Sequence, residues 1–234
     1  MKREIFRKKC EELGKNYVTI VALGDSNTGV NHWTLGGLNW VGYLECNVAE
    51  ICKKGYTIIN SSSSGNDLTQ ITHMERSIFR FNPDIVIVSL GLNDSRFGKP
   101  EQFSEDYAKL LRMLKERNIL VLTRTPNPVL NMIDGKELLG DIEVNGEIYK
   151  YDVSGYSKKI VEVSEKENIA CVDHYSLWRK SLDTIYHGEM NMLMGNFLHP
   201  NTNGHRRFYH ELAPFFGLRQ DFQFEYSRIL NVCQ

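Results

Sequence analysis

Tyr17-Val-Thr-Ile-Val-Ala-Leu23 runs directly into Gly24-Asp-Ser-Asn-Thr28, and this junction decides the fold. The first half is an apolar, β-branched run that reads as a buried strand. Gly24 permits a sharp turn that a Cβ would hinder. In an open α/β sheet, a serine just beyond the carboxyl end of a central strand stands where ligands bind. A helix starting after the turn would bring unpaired N–H groups beside it, ready to stabilise a developing oxyanion. Ser26 is therefore a candidate nucleophile, although Gly-Asp-Ser by itself also occurs in ordinary turns.

Working outward, strand and helix signals alternate. Residues 1–16 are polar and helix-prone. Leu38 to Lys54 carries Val41, Leu44, Val48 and Ile51 at helical spacing and closes on Gly55. Tyr56 to Asn60 reads as a second strand, running into Ser61-Ser-Ser-Ser-Gly-Asn66, and Asp67 can cap a helix from Leu68 to Phe79. Asp84 to Leu90 is the clearest buried strand, followed at once by Gly91-Leu-Asn-Asp94. Ser104 caps an expected helix to Arg117, Asn118 to Thr123 is a fourth strand, and Tyr156 to Glu167 precedes a fifth at Ile169 to Asp173. Between them, residues 126–155 hold alternating sequence around an Asn-Gly pair, Ile142 to Tyr149, the pattern of a hairpin. The last segment, Asn196-Phe-Leu-His-Pro-Asn-Thr-Asn-Gly-His205, leads into a helix to about Leu212, expected to stop at Pro214.

This alternation implies a parallel sheet between two helical layers, with right-handed crossovers. The motif loops after strands one, two and three then open at one carboxyl edge. One domain is expected over 1–234, its core at about 17–216, with the 126–155 segment as an insertion.

Composition excludes several classes. With 41% hydrophobic and 24% charged residues, the chain reads as an ordinary soluble domain. Its 28 basic and 29 acidic residues leave a net charge of −1, no field to gather nucleic acid or an anionic membrane. No apolar run has the length of a membrane span, and no signal segment is evident. Five cysteines without Cys-x-x-Cys spacing suggest neither a disulfide framework nor a zinc site. His199, His205 and His210 lack the i, i+4 pairing of a helical metal site. A cytoplasmic location, no metal and no cofactor are expected. Association with a second copy through the tail after Phe216 stays open.

Four blocks in order, Gly24-Asp-Ser26, Gly65 after the serine run, Gly91-Leu-Asn93-Asp94 and His199-Pro200, resemble those of the SGNH hydrolases, the GDSL esterase/acylhydrolase superfamily. The likeness spans about residues 17 to 212. It implies a flavodoxin-like α/β/α sandwich with strand order 2-1-3-4-5 and cofactor-free ester hydrolysis. By the same resemblance Ser26 is the nucleophile and His199 its base and later acid. The oxyanion hole comprises the Ser26 and Gly65 backbone N–H groups and the Asn93 amide. Asp25, Asn27 and Asp94 support them, Asp25 by bracing the turn.

The sequence departs from the family at one position. The family's aspartate three residues before the histidine is Asn196 here. An asparagine oxygen can orient the ring but cannot stabilise the imidazolium by charge, and the wrong tautomer costs a serine protease about 10⁴ in kcat. Three readings stay open: a Ser-His dyad oriented by Asn196, a substitute carboxylate such as Asp173 or Asp183, and a degenerate site. The expected activity is hydrolysis of a small acyl ester, acetyl above all, on a polar small molecule such as a sugar. The loop residues Asn31, His32, Trp33, Asn66, Asp67 and Arg96 motivate that expectation. An inert binding protein and an acyltransferase are the alternatives.

Overall fold

The computed structural model describes residues 1–29, 33–132, 136–138, 141–144, 146–182 and 190–220. In chain order they form α1 (Arg3–Leu13), β1 (Val18–Gly24), a single turn α2 (Ser26–Gly29), α3 (Trp40–Asn47), β2 (Tyr56–Ser62), a short α4 (Met74–Ser77) and β3 (Ile85–Ser89). There follow α5 (Pro100–Glu116), β4 (Leu120–Arg124), β5 (Asp141–Val144), β6 (Glu147–Lys150), α6 (Val153–Lys166), β7 (Ala170–Val172), α7 (His174–Leu182) and α8 (Thr202–Phe216). β5 and β6 pair only with each other, antiparallel, as the Asn-Gly signal predicted. The other five make one parallel sheet ordered β2-β1-β3-β4-β7, which is 2-1-3-4-5 when the hairpin is set aside.

Strand periodicity builds the layers. Side chains alternate across a strand, so Ile20 and Ala22 face one way and Val21 and Leu23 the other. The first pair joins Ile85, Ile87 and Leu122 against Phe6 of α1, Trp40 and Leu44 of α3, and Phe208 and Leu212 of α8. The second joins Val86, Val88 and Val121 against Leu110, Leu111 and Leu114 of α5 and Tyr156 and Ile160 of α6. Both faces being covered, β1 and β3 read as continuous apolar runs. Each such side chain contributes about 1.5–3 kcal/mol, and a charge at Val21 would break the layer.

Several boundaries differ from expectation. The segment after Asp67 is not one helix: Leu68–His73 is a 3-10 stretch, followed by α4 and a second 3-10 turn at Phe79–Phe81. Thr69, Ile71 and Thr72 are β-branched and poor in α-helix, although Asp67 does accept from the Thr69 N–H. α3 ends at Asn47 in a 3-10 turn, and its cap is Asn39, which accepts from the Gly42 N–H. α5 begins at Pro100, where proline's fixed φ suits the first helical position, and not at a Ser104 cap. α8 runs through Pro214 to Phe216. Proline there leaves the His210 carbonyl without its helical donor, and the Gln220 amide occupies it at 2.9 Å. Asn118 stands in the left-handed region (φ 60°), so β4 starts later, at Leu120.

Candidate active site

The carboxyl ends of β1, β2 and β3 converge as the alternation implies. Gly24 closes β1 because a Cβ there would lie 2.3 Å from Thr28 Oγ1 and 3.0 Å from the Ser89 carbonyl. Asp25, buried, accepts from the Asn27 N–H at 2.9 Å and so shapes the turn on which Ser26 stands. Burial lifts its carboxyl to about 7, against the pull of the Arg124 charge.

Ser26 Oγ lies 2.9 Å from His199 Nε2, across 173 residues of chain. On the other side of the ring, His199 Nδ1 lies 3.1 Å from Asn196 Oδ1. That oxygen also accepts from the backbone N–H of Leu198 at 2.9 Å and of His199 at 2.6 Å. Two backbone donors identify the atom as the amide oxygen, since an NH₂ could accept neither. His199 therefore carries its proton on Nδ1, donates it to Asn196, and leaves Nε2 to accept from the Ser26 hydroxyl. The tautomer that an asparagine can spoil is held correct by the loop's own backbone.

Asn93, after β3, donates from Nδ2 to the Asn66 carbonyl at 2.9 Å, which orients the amide and leaves its second N–H for another acceptor. Asn66 in turn donates to the Gly24 carbonyl at 3.0 Å, tying this loop to the serine turn. Gly65, exposed, has φ +79°; a Cβ would meet nothing within 4 Å, so conformation and not space selects glycine. Asp94 is buried, accepts from the Leu68 N–H at 2.8 Å, and burial raises its carboxyl to about 6. It braces the two loops against each other.

A serine-histidine-asparagine line at the edge of a 2-1-3-4-5 sheet coincides with a match over residues 22–207 to the GDSL-like lipase/acylhydrolase family. The chain belongs to this family. Among solved structures, the acetyl xylan esterase AlAXEase is 21% identical, with a TM-score of 0.64, over 83% of this chain and 98% of that one. The acetylxylan esterase Axe2 from Geobacillus stearothermophilus is 18% identical, TM-score 0.64, over 87% and 95%. A two-domain esterase active on acetylated mannans is 19% identical, TM-score 0.67, over 91% of this chain and 52% of that one. These likenesses show a shared fold. No curated protein matches the chain by sequence.

In this GDSL-like chain two side chains that the sequence left without a role, Asn127 and Arg124, lie beside the site, and Trp33, expected there as a substrate-facing loop residue, contacts the histidine. Asn127, buried in the loop after β4, accepts from Asn27 Nδ2 at 3.0 Å and donates to the carbonyls of Pro128 (2.9 Å) and Leu198 (3.2 Å). It thus joins the serine turn to the histidine loop. Its Pro-Asn-Pro setting was the only available signal. Arg124, at the end of β4, is 1% exposed, with its guanidinium carbon 3.9 Å from the Phe208 ring centroid and 5.2 Å from that of Trp40. Burial pulls its pKa down to about 10. Trp33 stacks on His199, with ring centroids 5.9 Å apart and planes 19° apart.

The carboxylate alternatives resolve in part. Asp173 accepts from Thr125 Oγ1 and the Ser176 N–H, both at 3.1 Å, and so caps α7 instead of supporting His199. Asp183, Asn31 and His32 lie outside the described residues. His205 is buried in α8, and burial with the Arg124 charge pushes its pKa down to about 3, so it is neutral. Among the described residues no cluster of three His, Cys, Asp or Glu side chains could hold a metal, and no helix is long and apolar enough to cross a membrane. A cavity of about 490 Å³ is lined by Ser95, Arg96, Val129, Glu137 and Tyr151, without Ser26, Asn93 or His199 in its wall. A larger one, about 870 Å³, lies at the opposite edge of the sheet among Lys8, Asn82, Asn118 and Glu167, away from Ser26.

Proposed function

We propose that this protein is a serine esterase that removes a small acyl group, acetyl foremost, from a polar substrate of carbohydrate type. The observation that carries this reading is the continuous line Ser26 Oγ to His199 Nε2 (2.9 Å) and His199 Nδ1 to Asn196 Oδ1 (3.1 Å). As Ser26 Oγ attacks the ester carbonyl, its proton passes to His199 Nε2. The negative charge on the carbonyl oxygen falls to the N–H groups of Ser26 and Gly65 and to the second N–H of Asn93. Collapse expels the alkoxide, which His199 protonates; water, deprotonated by His199, then releases the acid from Ser26.

Support for a sugar comes from the acetylated xylans and mannans named for the similar structures. The test is hydrolysis of acetylated xylo-oligosaccharides and p-nitrophenyl acetate. Ser26→Ala should lose at least about 10³ in kcat; a variant that keeps the wild-type rate sinks the proposal. Asn196 in place of aspartate favours one second reading, an inert binding protein. Failure of Ser26 to label with a fluorophosphonate would select it.

A further inference from the structure

We propose that Trp33 is a positioning residue for His199, its π face supplying part of the imidazolium stabilisation that an aspartate at position 196 would supply by charge. The inference rests on the serine-esterase reading above. Asn196 Oδ1 orients the ring through Nδ1, but a neutral amide offers little to the positive charge that forms when His199 takes the Ser26 proton. The Trp33 indole stacks on that ring with an offset, nearly parallel at 19° and 5.9 Å between centroids. A cation at about this distance is drawn to the negative face of an aromatic ring. Neutral imidazole gains little from the same contact. The interaction therefore strengthens as the proton moves, which favours the transition state over the ground state.

The stack is built into the fold. Thr202 Oγ1 at the start of α8 donates to the Thr34 carbonyl at 2.6 Å, pinning the residue after Trp33. Gly195, four residues before His199, lets the indole sit close: a Cβ there would stand 2.5 Å from Trp33 Cβ. The Gly195 N–H donates to the His199 carbonyl at 2.8 Å, so the backbone beneath the indole is the histidine loop itself. Among the described residues, the Ser26 hydroxyl and His205 on α8, held neutral by burial, act on this imidazole. Both are common to the variants below.

The experiment measures kcat and KM for p-nitrophenyl acetate between about pH 5 and 9. It compares wild type, Trp33→Phe and Trp33→Leu, each also in the Asn196→Asp background, with Ser26→Ala as the blank. Leucine keeps water off the imidazole but has no π face, so Trp33→Leu should lower kcat about fivefold with KM changed less than about twofold. It should also move the acid limb of the profile to lower pH by about half a unit, because the imidazolium has lost a stabiliser. Trp33→Phe should fall between. With a carboxylate at position 196 the loss on Trp33→Leu should shrink below about twofold. An unmoved acid limb, or equal losses in the two backgrounds, overturns the inference while leaving the serine mechanism standing. A Ser26→Ala enzyme with the wild-type rate overturns both.

Discussion

The two edges of the central sheet are built on opposite principles. At the amino edge, each of three helix-to-strand turns is finished by an asparagine in the left-handed region: Asn82 before β3, Asn118 before β4 and Asn168 before β7. Each is a local device in which the asparagine N–H bonds a carbonyl three residues back: Phe79, Lys115 and Glu165. At the carboxyl edge the loops hold one another through side chains from distant parts of the chain. Asn27 meets Asn127 across 100 residues, Asn127 meets Leu198 across 71, and Ser26 meets His199 across 173. The asparagine turns close on themselves, with the Thr19 N–H to Asp84 Oδ2 bond (2.8 Å) as a longer tie at that edge, whereas the serine and histidine turns close on each other.

Breaking the carboxyl edge should cost activity first. Asn93→Ala removes the side chain proposed to donate to the oxyanion and should lower kcat about 10² to 10³ with KM little changed, measured by steady-state kinetics. Asn127→Ala cuts the link between the serine and histidine loops and leaves the Asn27 amide unpaired. It should lower kcat by up to about 10² and stability by about 1–3 kcal/mol in urea unfolding. If kcat holds while stability falls, the link is structural only.

A third test sharpens the comparison from beneath the site. His174 and His205 are kept neutral by burial, their pKa values pushed to about 4 and about 3 from 6.5. The unfolded chain therefore binds more protons below pH 6.5, and stability present above that pH is lost as it falls toward 4. His205→Gln should reduce that acid slope by up to about 1.4 kcal/mol per pH unit, read from urea midpoints across the range. The smallest effect belongs to the amino edge. Asn118→Ala should cost about 1 kcal/mol, Asn118→Gly close to nothing, and neither should alter kcat.

The layers were legible because the signal is local. Ile85–Ser89 announces a strand covered on both faces, and α5 announces one buried stripe through Phe103, Tyr107, Leu110, Leu111 and Leu114. The stretch 68–81 was not legible: its apolar spacing fits a helix, but its β-branched residues and the Leu68 N–H bond to Asp94 hold it in short 3-10 turns. The four motif blocks and their order could be read, and so could the asparagine at 196. What Arg124, Asn127 and Trp33 touch could not, because their partners lie far away in the chain.

The sequence by itself determined the strand-helix alternation, the two-sided core and the identity of the residues at the carboxyl edge, since periodicity and turn chemistry act between near neighbours. Only the tertiary structure decided that the Ser26 oxygen meets the His199 nitrogen, that two backbone N–H groups turn the Asn196 oxygen toward the ring, and that an indole stacks beside it. Those are contacts between groups up to 173 residues apart, and they exist only once burial of both sheet faces has brought the loops together.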